Sequence, residues 1–336
     1  MSELVERARA IADDVLFPAA AEVDAKGEVP RAHFDLLAAE GFYGLAAPAE
    51  LGGAGADLPE LIAVLEAFAG GCLSTMFTWI QHHGLVVGLL ASPNQALREQ
   101  YLASMVRGDV RAGVAFAGVI PTQPRMRAGR VDGGYLFEGE APFVSGWGGI
   151  DVLQLSGRDG DTVVSAVIDP VAGPHLAVRK LELVAAQGTA TVGLTLDGYF
   201  VPEDHVFAEV AHADFVAGTT FASRLNGCAP LGVADRAARL IEETGKPEAA
   251  SSLRVEQAEI RAALDAGLAD PDTLPRARAA AAEFTFRSAG ALVAAVGSRA
   301  VLAGQHAQRL VREATFLLVA ASRQEIKNAL LDRACR

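Results

Sequence analysis

Residues 189–198 read TATVGLTLDG, in which Ala190, Val192, Leu194 and Leu196 alternate with Thr189, Thr191, Gly193 and Thr195. A period of two sends successive side chains to opposite faces, which is the mark of a β-strand rather than a helix. Outward from this stretch, DTVVSAVIDP (161–170) and GYLFEGEAPFVSG (134–146) are strand-like too, and Gly and Pro punctuate the runs. The segment from about 111 to 210 is therefore read as a β domain.

On both sides of it the helical period takes over. Pro30 opens RAHFDLLAAEGF, with Gly41 near its end, and Asp57-Leu58-Pro59 opens ELIAVLEAFAG, where Leu61, Leu65 and Phe68 form one stripe. LSTMFTWIQHHGLVVGLLA (73–91) and NQALREQYLASMVRG (94–108) continue the pattern, the latter with Leu97, Tyr101 and Met105 at helical spacing. The period returns from 211 in FASRLNGCAPLGVADRAARLIEE, LRVEQAEIRAALDAG, RARAAAAEFTFRSAGALVAAVG and QRLVREATFLLVAASRQEIKNALLDR. The order is α, β, α: a helical domain over 1–110, a β domain over 111–210 and a helical bundle over 211–336. PEAASS (247–252) and ADPDTLP (269–275) are the loop candidates.

Composition narrows the function. The 336 residues are 51% hydrophobic and 21% charged, enough apolar surface to offset the ordering entropy of a folded core. With 29 Lys+Arg against 41 Asp+Glu the net charge is −12, which repels phosphate backbones and anionic headgroups, so nucleic acid is not an expected partner. Cys72, Cys228 and Cys335 are too few and too scattered for a disulfide framework or a CxxC metal site. The N-terminal residues lack the apolar core of a signal peptide, and no charge-free apolar run of membrane length follows, so a cytoplasmic protein with no membrane span is expected. The Ala-rich run 276–297 suits close helix contacts and an oligomer.

Motifs for common chemistries are absent: there is no GxGxxG after a strand, no GxxxxGK[ST], no HExxH and no GxSxG. His82 and His83 are adjacent on a helix and so face different sides, which suits a structural role better than a metal pair. Leu51-Gly52-Gly53-Ala54-Gly55 follows no strand, so a plain loop is preferred over a phosphate cradle. Arg309, Arg312 and Glu313 are read as ordinary surface pairs at i, i+4 spacing.

The wording of five segments, in this order, resembles the acyl-CoA dehydrogenase family from about residue 5 to residue 333. EGFYGLAAPAELGGAGADLPELIAVLEAFA (40–69) is similar to "GF.GL..PE.yGG.G" and the helix after it. LREQYLASMVRGDVRAGVAFA (97–117), GGYLFEGEAPFVSGWGGIDVLQLSGR (133–158), TATVGLTLDGYFVPEDHVF (189–207) and QRLVREATFLLVAASRQEIKNALL (308–331) resemble its later segments. The resemblance implies an α+β fold with an N-terminal helical domain, a middle β-barrel or sheet domain and a C-terminal helical bundle. It implies FAD as cofactor, and α,β-oxidation of an acyl-CoA or other acyl thioester in fatty acid or lipid metabolism. In that chemistry a carboxylate takes the α proton and the flavin accepts hydride.

Residue by residue, Ala115–Pro121 is similar to a strand end reading Tyr-Cys-x-Thr-Glu-Pro, so Phe116, Gly118 and Val119 are implied at the flavin, with Val119 in place of the threonine. Phe143, Val144 and Ser145 resemble Trp-Ile-Thr, whose aromatic covers the flavin and whose hydroxyl donates toward its N5. The match of Arg309–Glu313 to Arg-Leu-x-Arg-Asp puts Ala321 at the usual base position. The alternative base position, on the first helix after the β domain, falls near Ala222, again without a carboxylate. GKPEAASS (245–252) and VLAGQHAQ (301–308) also depart from the segments that contact a neighbouring subunit's FAD. No metal is expected. Three readings stay open: a homo-oligomeric dehydrogenase, a non-catalytic or half-site partner in a heterotetramer with a second acyl-CoA dehydrogenase-like chain, and a flavin-dependent monooxygenase on the same fold.

Overall fold

The computed structural model describes residues 2–335. Six helices come first: α1 (Glu3–Ile11), α2 (Phe17–Lys26), α3 (Arg31–Ala39), α4 (Leu58–Gly71), α5 (Leu73–Leu90) and α6 (Gln95–Arg107). Eight strands follow: β1 (Ala112–Ala115), β2 (Met126–Val131), β3 (Gly134–Val144), β4 (Val152–Asp159), β5 (Thr162–Ile168), β6 (Leu176–Lys180), β7 (Val192–Pro202) and β8 (Val206–Ala211). The chain closes with α7 (His212–Asn226), α8 (Cys228–Glu243), α9 (Pro247–Ala266), α10 (Leu274–Val296), α11 (His306–Val319) and α12 (Gln324–Ala334). The molecule is thus a helical N-terminal part, a central sheet and a helical C-terminal part.

Local chemistry accounts for the element ends. The Asp57 carboxylate accepts from the Glu60 N–H at 2.9 Å, and the Glu60 carboxylate accepts from the Asp57 N–H at 3.2 Å, a reciprocal cap worth about 1 kcal/mol at the start of α4. The stretch TATVGLTLDG becomes a strand only from Val192. Residues 187–189 instead form a 3₁₀ turn between Ala186 and Ala190, both left-handed at φ 54° and 46°. The reason is local: the Thr189 hydroxyl bonds the Ala186 carbonyl and holds the turn against strand pairing. PEAASS is likewise no loop, since Pro247 starts α9, where its fixed φ suits the first helical turn.

The sheet runs β6-β7-β3-β2-β4-β5-β8, with β1 parallel to β4. Phe137, Leu155, Val164 and Leu194 fill its interior. The two helical parts are not independent: Leu16, Phe68 and Trp79 share one core with Cys228, Leu310 and Leu317. Where α4 crosses α8, a Cβ on Gly232 would lie 2.2 Å from the Glu66 carbonyl carbon's oxygen, so only glycine allows the two backbones this close.

Two sequence expectations change here. Arg309 and Glu313 do pair at i, i+4, but inside the core rather than on the surface, because Leu310, Ala314 and Leu317 turn that side of α11 inward. Arg312 reaches across to Asp24 on α2, its Nη1 donating to Oδ1 at 2.8 Å. Residues 274–301 form one stretch long and apolar enough to cross a membrane by composition. Within the bundle, however, Ala281, Phe284 and Leu292 of that stretch are buried against neighbouring helices.

Candidate active site

Phe116 follows the last residue of β1 and is half-buried, its ring meeting that of Phe215 on α7 edge-on with centroids 6.1 Å apart. The end of a sheet strand is thereby joined to the first helix of the C-terminal part. Ala117–Val119 make one 3₁₀ turn, closed by the Val119 N–H donating to the Phe116 carbonyl at 3.1 Å. Gly118 is buried so tightly that a Cβ there would lie 2.9 Å from the Glu140 oxygen. Val119 packs into the sheet interior, so its side chain is spent on the core and offers no polar group.

At the end of β3 the pleat separates Phe143 from Val144. Val144 is buried and paired with Val192, whereas Phe143 is 65% exposed, a large aromatic left in the open. Ser145 is buried next to it. β1 lies against this corner, since a Cβ on Gly113 would come within 3.5 Å of the Ser145 carbonyl oxygen.

Ser145 is the first of three linked hydroxyls. Its Oγ lies 2.8 Å from Thr191 Oγ1, which lies 2.7 Å from Thr189 Oγ1, which donates to the Ala186 carbonyl at 2.7 Å. Each hydroxyl has one proton. Thr189 uses its proton on a carbonyl, which can only accept, so Thr191 must donate to Thr189 and Ser145 must donate to Thr191. The Gly146 N–H donating to the Thr189 carbonyl at 2.8 Å, and the Trp147 N–H donating to the Ala190 carbonyl at 3.2 Å, fix the spacing. In this arrangement the Ser145 proton points toward Thr191, and lone pairs of its Oγ remain.

The two residues matched to base positions lie at the surface. Ala222 is exposed on α7, and Ala321 is exposed just after α11 in the left-handed region at φ 48°. Arg323, two residues on, is half-buried, and burial lowers its pKa.

The other sequence candidates resolve into structure. The Ala112 N–H donates to His82 Nδ1 and His82 Nε2 donates to the Met105 carbonyl, each at 3.1 Å, which fixes a neutral tautomer that joins α6 to β1; burial holds its pKa well below the usual value. His83 is buried between the Trp79 and His82 rings. The N–H groups of Gly53, Ala54, Gly55 and Ala56 all donate to carbonyls of residues 44–48, so the 51–55 loop has none turned to a phosphate. Among the described residues no group of three or more His, Cys, Asp or Glu could hold a metal. A cavity of about 520 Å³ opens between α1, α4, α8 and α9, with Arg236 paired to Asp13 and Arg261 to Glu66 along it, and none of the expected site residues lines it.

Sequence reasoning missed Phe215 and the pair Thr189 and Thr191. The two threonines were visible as every second residue of a strand pattern, but only the turn at 187–189 shows that they face Ser145.

The first 109 residues match the family model "Acyl-CoA dehydrogenase, N-terminal domain". Among curated proteins, the benzylmalonyl-CoA dehydrogenase of Aromatoleum aromaticum is 28% identical over 208 residues, 57% of this chain and 53% of that one. The human mitochondrial short-chain specific acyl-CoA dehydrogenase is 25% identical over 219 residues, 61% of this chain and 52% of that one. The chain thus spans about half the length of these curated relatives. In fold it is similar to butyryl-CoA dehydrogenase of Megasphaera elsdenii, with TM-score 0.84 and 16% identity, over 100% of this chain and 99% of that one. The chain is thus similar in sequence to acyl-CoA dehydrogenases, by the family model over its first 109 residues and by these relatives over part of its length, and it shares the fold of butyryl-CoA dehydrogenase, a sheet set between two helical parts.

Proposed function

We propose that this chain is an acyl-CoA dehydrogenase-like flavoprotein that oxidises an acyl thioester at its α,β bond with FAD as hydride acceptor. The observation that carries the reading is exposed Phe143 at the end of β3, beside buried Ser145; separately, Phe116 meets Phe215 of α7 where the sheet joins the C-terminal helices. The residues fit a flat aromatic ring by this observation, since an exposed phenylalanine at a strand end is apolar surface that a ring would cover. They fit it without side-chain donors, because Val119 has none and Ser145 has spent its proton inward.

Phe116 and Phe143 would hold the ring by stacking and exclude water, and buried Gly118 and Val144 would form the floor through their backbone. The flavin, when bound, supplies the acceptor for the hydride. The α proton needs a base within hydrogen-bond reach, and neither Ala321 nor Ala222 can take it. That lack favours a second form of the reading, in which the chain is the half-site partner in a heterotetramer with another acyl-CoA dehydrogenase-like chain that brings the carboxylate.

Titration of the dialysed protein with FAD, followed by flavin fluorescence and visible absorbance, tests the cofactor. Saturable binding well below millimolar is expected. No saturation up to about 1 mM, a binding free energy of about −4 kcal/mol, would end the flavin reading.

A further inference from the structure

We propose that the cavity between α1, α4, α8 and α9 is a second ligand site, which takes a small carboxylic acid anion with an apolar tail. Phe116, Phe143 and Ser145 do not line it, so the inference is independent of the flavin reading. At about 520 Å³ it falls in the range of roughly 300–1,000 Å³ usual for small-molecule sites. Its walls differ in chemistry. Helix α4 contributes a half-buried apolar strip of Ile62, Ala63 and Ala67, and α8 and α9 contribute the guanidiniums of Arg236, Arg239 and Arg261.

Each guanidinium is anchored and keeps donors in reserve. Arg236 donates through Nε to the Gly70 carbonyl at 2.8 Å and through Nη2 to Asp13. Arg239 donates through Nε to Asp235 at 2.9 Å and through Nη1 to both Asp13 oxygens, at 3.2 and 3.1 Å. Arg261 grips both Glu66 oxygens, with Nε at 3.1 Å and Nη2 at 2.5 Å. Arg236 Nη1, Arg239 Nη2 and Arg261 Nη1 therefore have no partner among the described residues, and each carries two N–H groups. Glu66 and Gly70 stand one turn apart on α4, about 6 Å, and Arg236 and Arg239 share Asp13, so the three head groups converge. The carboxylates of Asp13 and Glu66 already accept on both oxygens, which leaves the reserve donors to a ligand. Asp13 itself sits in a π-helical turn over Ala12–Leu16, a rare conformation frequent at functional sites. Behind the cavity wall, Arg224 pairs with Asp265 at 2.6 Å, while buried Arg278 donates to the Ser223 carbonyl at 2.7 Å. Arg278 has no carboxylate partner among the described residues, so positive charge stands uncompensated there.

The test is a titration of the intact protein with hexanoate, beside acetate and 1-hexanol as probes of the head and the tail alone, followed by calorimetry and by NMR of protein labelled at its alanine methyls. Hexanoate is expected to bind with a Kd below about 1 mM, and acetate and 1-hexanol at least about tenfold more weakly. Bound hexanoate should give nuclear Overhauser contacts to the methyls of Ala63 and Ala67, a reading that needs no variant. Arg239→Gln removes reserve donors while Asp13 keeps Arg236, and should weaken binding at least about tenfold. Ala67→Phe fills the apolar wall from a half-buried position and should abolish binding. Phe143→Ala should leave hexanoate affinity unchanged, so failure of the flavin reading and failure of this site are separate results. No saturation up to about 10 mM overturns the proposal. Equal affinity for acetate or 1-hexanol, binding that both cavity variants leave unchanged, or contacts confined to alanines away from α4 overturn it too.

Discussion

Arg309 and Glu313 lie one helical turn apart on α11 and meet at 2.5 Å, with side chains only 2% and 5% exposed. Phe17 of α2 packs beneath the Arg309 guanidinium, its ring centroid 5.9 Å away, so the pair sits where the N-terminal and C-terminal helices share their core. Burial pushes the Glu313 carboxyl up in pKa, and the Arg309 charge pulls it back. The geometry explains why breaking the pair and removing it differ.

Glu313→Leu should cost about 3–5 kcal/mol, because it leaves the Arg309 charge buried without its partner. Arg309→Met combined with Glu313→Leu should recover most of that loss. Urea unfolding of the two variants and the parent decides, and a double variant no more stable than the single one would show that the pair contributes more than mutual neutralisation.

Phe143 offers a cleaner test of the site than any buried residue. At 65% exposure it adds little to folding, so Phe143→Ala should leave stability within about 0.5 kcal/mol of the parent. If the ring stacks on a flavin, the same change should weaken FAD binding about two- to twelvefold, the worth of roughly 0.5–1.5 kcal/mol for one aromatic contact. Equal FAD affinity in both proteins would remove Phe143 from the site.

How far the sequence could be read follows from the range of each interaction. Periodicity is local, so the strand patterns at 134–146 and 161–170 and the stripe of Leu61, Leu65 and Phe68 were legible without knowing their neighbours. The absent carboxylates at Ala222 and Ala321 were equally plain, since they need only a matched position. What was illegible depends on long-range burial. The i, i+4 spacing of Arg309 and Glu313 is the same on a surface and in a core, and only the packing of α2 on α11 distinguishes them. The proton direction at Ser145 is set by residues 41 to 46 positions away and by the left-handed turn at Ala186, which no strand template contains.

Acid should destabilise the fold through its buried histidines. The His83 ring lies 4.7 Å from that of Trp79 and 5.5 Å from that of His82, and burial lowers its pKa to about 4. The folded value lies below the unfolded value of about 6.5, so the unfolded chain takes the proton first as pH falls. Above pH 6.5 both states are neutral and the full stability is present. Between 6.5 and 4 it is lost, by about 2 kcal/mol at pH 5 from this residue alone. His306 is lowered to about 4 as well, by burial and by the charges of Arg309 and Arg236, and adds to the same limb. His83→Phe should flatten the fall between pH 7 and pH 5 in urea titrations. An unchanged slope would mean that His83 is protonated in the folded protein at pH 5.

Ala321 joins backbone strain to missing chemistry. Its φ of 48° places a Cβ-bearing residue in the left-handed region, which costs about 1–2 kcal/mol relative to a glycine. Ala321→Gly should therefore stabilise the protein by about 1 kcal/mol, less the extra freedom glycine gives the unfolded chain. Ala321→Glu keeps the same backbone strain as alanine, and because the position is exposed the carboxylate can remain hydrated, so this variant should fold like the parent. Its effect belongs to the chemistry. A positioned base contributes roughly 10²- to 10⁴-fold, so the unmodified chain alone should oxidise saturated acyl-CoAs very slowly, and Ala321→Glu should raise the rate toward that range. Ala321→Gln, equal in length and unable to take the proton, is the control and should leave the rate at the parent's level. All three proteins would be assayed with an artificial electron acceptor over several acyl chain lengths, after FAD content is equalised. Robust turnover by the unmodified chain would mean that a carboxylate outside positions 222 and 321 already reaches the substrate, and the glutamate at 321 would then add little.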